Sequence, residues 1–364
     1  MASPGLFRRL LYKEDEKKMI DQRPDLRSMA PDELEKIMEE LGQPKFRAAQ
    51  LFRWLSQGAR TEEMTDLPLQ LRQQLSGRFR LSPPRLERRL DSVDGTVKLL
   101  WRLFDGESVE TVLMKYDYGN TVCISTQVGC AMGCAFCAST KGGFVRDLEA
   151  GEMLDQVIFT SKETGAEINH IVLMGIGEPL SNFDNVLRFL RLVNDPGGRG
   201  LGMRRISLST CGIVERIDKL ADYNIQLTLS VSLHSVDEDV RKALMPVARR
   251  YDLESLRRAC ARYFDITGRR ITYEYAMIDG INDSDEAARE LARWIKSAEG
   301  GHVNLITLND VPESGLRPSP QKRVRAFVKA LEREGVKATV RRRLGADIDA
   351  ACGQLRIKTA QKGS

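Results

Sequence analysis

The residues best suited to chemistry are three cysteines in the run Gly129-Cys130-Ala131-Met132-Gly133-Cys134-Ala135-Phe136-Cys137. The Cys-x3-Cys-x2-Cys spacing puts three thiolates on one short loop. Three such thiolates can hold three irons of a 4Fe–4S cubane and leave the fourth iron open to an outside ligand. A closed structural zinc site needs four ligands. No other Cys or His stands at ligand spacing nearby, since the histidines are 170, 234 and 302 and the remaining cysteines are 123, 211, 260 and 352. A zinc-held loop is the alternative, and it would make the chain a non-catalytic binding module. The cysteine count of 7 is odd, which argues against a structural disulfide framework and for metal or redox chemistry.

These cysteines need a scaffold, and 364 residues with 42% hydrophobic side chains can build one without staples. No apolar run approaches the roughly 18 residues of a membrane span. The first residues lack a signal-peptide pattern. A cytoplasmic protein with no membrane partner is expected. Net charge is only +5, but basic residues cluster at Arg204-Arg205, Arg249-Arg250, Arg269-Arg270 and Arg341-Arg342-Arg343. Such clusters suit phosphate groups.

Residues 1–28 read as a loosely ordered lead. Residues 29–82 read as a small helical domain, with Leu34, Ile37, Met38 and Leu41 at helical spacing and Leu67, Leu71 and Leu75 further on. Pro83-Pro84 opens a β extension, 83–120, punctuated by Asp94-Gly95 and Asp105-Gly106. From 121 to 358 strand and helix patterns alternate, with strands near 121–126, 170–174, 205–209, 226–233, 271–277 and 303–308. Residues 359–364 are a tail. Alternation of this kind makes a parallel sheet, and six units make a partial barrel whose chemistry sits at the C-terminal strand ends. Those ends carry Gly177-Glu178, Ser209, Ser232-Leu233-His234 and Asn309, short polar groups suited to a small cofactor. Cys260 shares a helix's apolar stripe and reads as a small core residue. Cys352 differs, standing in the small-residue run Gly345-Ala346-Asp347-Ile348-Asp349-Ala350-Ala351-Cys352-Gly353, which reads as a flexible loop able to deliver a thiol.

The cysteine triad on a strand-end loop resembles the radical S-adenosylmethionine superfamily. That implies a partial (βα)6 barrel, one 4Fe–4S cluster held by Cys130, Cys134 and Cys137, and S-adenosylmethionine on the open iron. Gly177, Glu178, Ser209, Ser232, Leu233, His234 and Asn309 would then bind S-adenosylmethionine, with Glu178 on its methionine amino group. The resemblance narrows at Gly345 to Leu355, at the spacing of Cys123 to Cys137, and at Val109-Glu110-Thr111-Val112. Phe46-Arg47-Ala48-Ala49-Gln50 and His302-Val303-Asn304-Leu305-Ile306 extend it over roughly residues 30 to 358. These segments are similar to the dual-specificity adenine carbon-2 RNA methyltransferases of the RlmN type. Cys211 departs from that pattern where serine is common, and Thr307 where proline is common.

The resemblance implies methylation of carbon-2 of adenosine in 23S rRNA, at the peptidyl-transferase centre, and in tRNA, 3′ to the anticodon. Two S-adenosylmethionine molecules serve each methylation. Cys352 would carry the methyl group, Glu110 would remove the carbon-2 proton, and Cys123 would release the product through a transient disulfide. The implied partners are the two RNAs and an electron-donor protein. A monomer is expected, with no DNA partner. The related carbon-8 rRNA methyltransferases of antibiotic resistance (Cfr type) are the nearest alternative.

Overall fold

The computed structural model describes residues 21–298, 301–309 and 314–350. Its first body is helical. α1 (Pro31–Glu40) begins on a proline and carries Asp32 and Glu33 in its first turn, where a helix favours both. α2 (Phe46–Ser56) and α3 (Leu69–Arg78) complete the body. The stripe read from the sequence is its core, with Leu34, Ile37 and Met38 buried together with Leu51, Leu55, Leu71 and Leu75.

One expectation is corrected here. Residues up to 28 do not all form a loose lead, because Leu26 and Arg27 are buried in a single 3-10 turn capped by Asp25. Arg27 forms a buried ion pair with Asp155 across the interface with the barrel. A charge is buried only when it is paired, so this contact is what draws the segment in. Arg80–Glu149, Arg188–Glu33 and Arg191–Asp32 pair across the same junction.

Three antiparallel strands follow, β1 (Arg85–Asp91), β2 (Val97–Arg102) and β3 (Ser108–Tyr116). Their turns fall at the two Asp-Gly pairs, with Gly95 and Gly106 both at positive φ. Next come β4 (Gly119–Cys123) and a small hairpin of β5 (Gln127–Gly129) and β6 (Phe144–Asp147). Alternation then runs through α4 (Ala150–Thr164), β7 (His170–Leu173), α5 (Phe183–Asn194), β8 (Ile206–Thr210), α6 (Val214–Asp222) and β9 (Thr228–Ser232). It ends with α7 (Glu238–Leu244), α8 (Leu253–Thr267), β10 (Thr272–Met277), α9 (Asp285–Ser297), β11 (His302–Thr307), α10 (Gln321–Arg333) and β12 (Ala338–Val340).

Among the described residues the sheet has ten strands, in the order β1-β2-β3-β4-β7-β8-β9-β10-β11-β12. The six expected strands β4, β7, β8, β9, β10 and β11 are parallel neighbours. The β extension joins the same sheet, because β3 pairs antiparallel with β4. β12 adds a seventh parallel strand. At three residues it is too short for a periodicity to reveal.

Strand side chains alternate between faces. One face of the barrel carries Ile171, Leu173, Ile206, Leu208, Leu229, Val231, Tyr273, Tyr275, Val303 and Leu305, all in the main core. The other face carries Met174, Ser209, Ser232, Glu274 and Ile306 and lines an interior cavity. Residues 341–350 leave β12 and reach back to the β1–β2 turn. There Gly345 N–H donates to Asp94 Oδ2 at 2.9 Å, Asp347 accepts from Ser92 Oγ at 2.5 Å and from Val93 N–H at 3.2 Å, and Lys98 Nζ donates to the Asp349 carbonyl at 3.0 Å. This strap joins the two ends of the sheet across the opening of the partial barrel.

Candidate active site

Cys130 directly follows β5, and its N–H donates to the Gly143 carbonyl at 2.9 Å, which closes the loop between β5 and β6. Gly129 has φ +74, and a Cβ there would lie 1.9 Å from that carbonyl oxygen, so only glycine allows the closure. The Cys137 N–H donates to the Cys134 carbonyl at 3.1 Å, which turns both thiols to the same side. All three line a cavity with about 930 Å³ of empty space, partly open to solvent.

Burial pushes the Cys130 thiol up to about 11, with the neighbouring Cys137 and Glu178 adding to the effect. Burial pushes Cys134 up further, again helped by Cys137 and Cys130. A set of thiols this close, beside a buried carboxylate, is costly to ionise without a cation between them. Iron in a cluster supplies that charge, so the donor set fits a three-cysteine cubane. Among the described residues no three His, Cys, Asp or Glu side chains converge on a single metal ion, as a closed zinc site would require.

The strand-end residues meet at the same cavity. Gly177, Glu178, Ser209, Ser232, His234 and Asn309 all line it. Gly177 has φ +108, and a Cβ there would sit 2.6 Å from Gln127 Cβ. Glu178 is buried, and its carboxylate already accepts from Leu180 N–H at 2.9 Å and from Cys211 N–H at 2.7 Å. It therefore ties the ends of β7 and β8 together, in addition to any contact with a ligand. Leu233 could meet a ligand in this cavity only through its backbone. Its side chain lies in the main core away from the cavity, and its N–H donates to the Glu274 carbonyl at 3.0 Å. Strand alternation turns it outward while Ser232 faces in.

His234 holds a positive φ of 57 and accepts at Nδ1 from Ala276 N–H at 2.9 Å. The ring packs edge-on against Phe136, centroids 4.6 Å apart. Burial pushes this imidazole from 6.5 down to about 3, so it is neutral with its proton on Nε2. The folded value lies below the unfolded one, so the associated stability is complete above pH 6.5 and is lost as pH falls toward 3. The slope is about 1.4 kcal/mol per pH unit. Urea unfolding at pH 7 and pH 5 is expected to show His234→Gln losing about 2 kcal/mol less than the parent chain across that interval. Equal losses in the two proteins would remove His234 as the source.

A second cavity of about 570 Å³ adjoins the first and shares Met174, Ile306, Asn309 and Arg341 with it. Cys123, Val112, Met114, Tyr116 and Ala350 line it, together with Arg341, Arg342 and Arg343. Cys123 stands opposite Val112 in the β3–β4 pairing. Glu110 lies two residues along β3 on the same face, buried, with Lys98 Nζ at 2.9 Å. Cys352 lies outside the described residues. Of the basic clusters, only Arg341–Arg343 reaches these cavities.

The sequence did not assign three groups to this site, one of which, Arg341, it read only as part of a basic cluster. Glu274 accepts from Ser209 Oγ at 3.0 Å, and Arg341 stands 3.7 Å from its other oxygen. Lys98 is the third. The inward alternation of β10 is a signal that could have found Glu274. Cys211, given no role, borders the cavity as a buried thiol, and Cys260 is a core residue as expected.

A partial parallel barrel with three cysteines at the mouth of its interior cavity is the architecture of the radical S-adenosylmethionine enzymes, and residues 124–292 match the Radical SAM superfamily. Residues 24–81 match the ribosomal RNA large subunit methyltransferase N-terminal domain. The probable dual-specificity RNA methyltransferase RlmN of Alkaliphilus oremlandii is 48% identical over 93% of this chain and 98% of its own length. The protein of the same name from Desulforamulus reducens is 48% identical, over 93% of this chain and 97% of its own. The crystal structure of a radical SAM methyltransferase from Sphaerobacter thermophilus superposes with a TM-score of 0.88 at 44% identity, covering 92% of this chain and all of that one. The chain belongs to the RlmN family of radical S-adenosylmethionine methyltransferases. The carbon-8 alternative is not favoured by these relatives. No helix among the described residues is long and apolar enough to cross a membrane.

Proposed function

We propose that this chain methylates carbon-2 of adenosine in 23S rRNA and in tRNA, using Cys352 as the methyl carrier. The observation that supports it best is the continuity of two cavities. One holds the cysteine triad, and the other holds Cys123 and the strap that leads to Cys352.

Carbon-2 of adenine lies between two ring nitrogens and is electron-poor, so it accepts a carbon radical where a polar methyl transfer fails. When bound, the cluster and S-adenosylmethionine supply the methyl group and a 5′-deoxyadenosyl radical. Cys352 accepts the methyl as a thiolate and then gives up one of its hydrogens. The methylene carbon on its sulfur adds to the base. The adduct then gives up its unpaired electron, which the oxidised cluster would accept, and Glu110 takes the carbon-2 proton. Cys123 Sγ attacks Cys352 Sγ, a disulfide forms, the carbon–sulfur bond to the product breaks, and the released carbon takes up a proton to become the methyl group. A protein electron donor returns the pair to thiols. The enzyme acts as a monomer in the cytoplasm.

RNA reaches the second cavity past Tyr116, whose ring stacks on Tyr118 at 4.9 Å and 8°. Tyr118 is 66% exposed and offers its outer face to the base beside the target, while Arg342 and Arg343 face the phosphates. Base stacking on an aromatic ring contributes about 1–3 kcal/mol. Tyr118→Ala is therefore expected to raise KM for RNA by about tenfold with little change in kcat, and Tyr118→Trp to restore it. An unchanged KM would remove this face from the RNA path. The function as a whole is tested by incubating anaerobically reconstituted protein with each RNA and reading the nucleosides by mass spectrometry. 2-methyladenosine is expected in both, and 8-methyladenosine as the main product would contradict the reading.

A further inference from the structure

The β2–β3 register places Lys98 opposite Val112 and Leu100 opposite Glu110. Lys98 and Glu110 are thus diagonal neighbours on the inward face. Their side chains are 8% and 7% exposed, and the ammonium lies 2.9 Å from Glu110 Oε1. The same ammonium donates to the carbonyl of Asp349, three residues before Cys352 in sequence. A buried ion pair adds little stability over an apolar pair of the same volume, so stability is not what this lysine supplies best. Its two contacts instead join the candidate base to the segment bearing the methyl carrier. Asp94 and Asp347 fasten the same segment to the β1–β2 turn through contacts that do not involve Glu110.

We infer that Lys98 is a positioning residue, which holds the Glu110 carboxylate in place and anchors the strap to it at Asp349. This rests on the roles proposed above for Glu110 and Cys352. One ammonium group then ties the group that removes the carbon-2 proton to the strap at Asp349. Radical addition to the base needs only the strap, which Asp94 and Asp347 still hold. Proton removal needs Glu110 aligned. Loss of Lys98 therefore lets the RNA become attached to Cys352 and delays its release.

The test uses full-length reconstituted enzyme with tRNA, and reads released 2-methyladenosine and covalent protein–RNA adduct on denaturing gels. Glu110→Gln, Lys98→Met, Lys98→Gln and Lys98→Arg are compared. Lys98→Met is expected to lower turnover by about 100-fold and to accumulate adduct with Cys123 intact, as Glu110→Gln does. Lys98→Arg keeps a charged donor and is expected to recover most of the release. Lys98→Gln keeps a neutral donor and is expected to fold and trap adduct if Lys98→Met does not fold. A Lys98→Gln enzyme that releases product at the parent rate overturns the inference. So do Lys98 variants without adduct beside a Glu110→Gln enzyme that traps it. If Glu110→Gln itself releases methylated RNA normally, the base assignment fails, and the Lys98 inference fails with it.

Discussion

Cys123→Ala is expected to leave the enzyme covalently joined to its RNA. Addition of the Cys352-borne carbon to adenine makes a carbon–sulfur link, and only a thiolate arriving at that sulfur breaks it. Cys123 faces the second cavity from β4, opposite Val112 and beside Ala350, where the strap comes in. Water is a poor substitute for a thiolate at sulfur. Released product should fall by at least about 10³-fold, equivalent to about 4 kcal/mol of barrier. The fold should survive, because removing one buried sulfur among Val112, Met114 and Ile176 costs only about 1–2 kcal/mol. Denaturing gels under turnover conditions should show the enzyme shifted by its RNA, with the link at Cys352 by mass spectrometry. Free RNA and free variant alone would count against a resolving role for Cys123.

Cys134→Ala is expected to abolish the cluster and with it all methylation. The triad has one thiol for each of three irons, so two thiols cannot hold the cubane. Iron and sulfide should fall to background and the brown absorbance should vanish. Turnover should drop below detection, because no group on the chain can replace the electron source. The chain itself should unfold near the parent's temperature, because Cys134 lies in a loop whose neighbouring Ala135 N–H to Leu244 carbonyl bond, 2.9 Å, is untouched. A variant that keeps a full complement of iron and methylates RNA would place the radical source elsewhere.

What the sequence disclosed, and what it hid, follows from the range of each interaction. Cys130, Cys134 and Cys137 could be read because their geometry is set within eight residues of one loop. The six parallel strands could be read because each pairs a short apolar run with a following amphipathic helix. Lys98 could not be read, because its meaning depends on the β2–β3 register, which places it diagonal to Glu110. Glu274 on β10 and Arg341, just past β12, are 67 positions apart in the chain and meet only because β11 sets β10 and β12 side by side around it. Arg27 read as part of a charged lead because its partner Asp155 lies on a helix of the barrel. That Leu233 turns its side chain to the core while Ser232 and His234 face the cavity was likewise not legible in the run Ser232-Leu233-His234.

The central claim is that the transferred carbon passes through Cys352 and loses a hydrogen there before it reaches the base. The most direct measurement gives the reconstituted enzyme S-adenosylmethionine with a fully deuterated methyl group and weighs the methyladenosine released from tRNA. A carbon that has given one deuterium to the deoxyadenosyl radical arrives with two, and gains its third hydrogen from the base or from solvent. The account predicts 2-methyladenosine carrying two deuteriums. A methyl group that keeps all three would mean direct transfer and would contradict it.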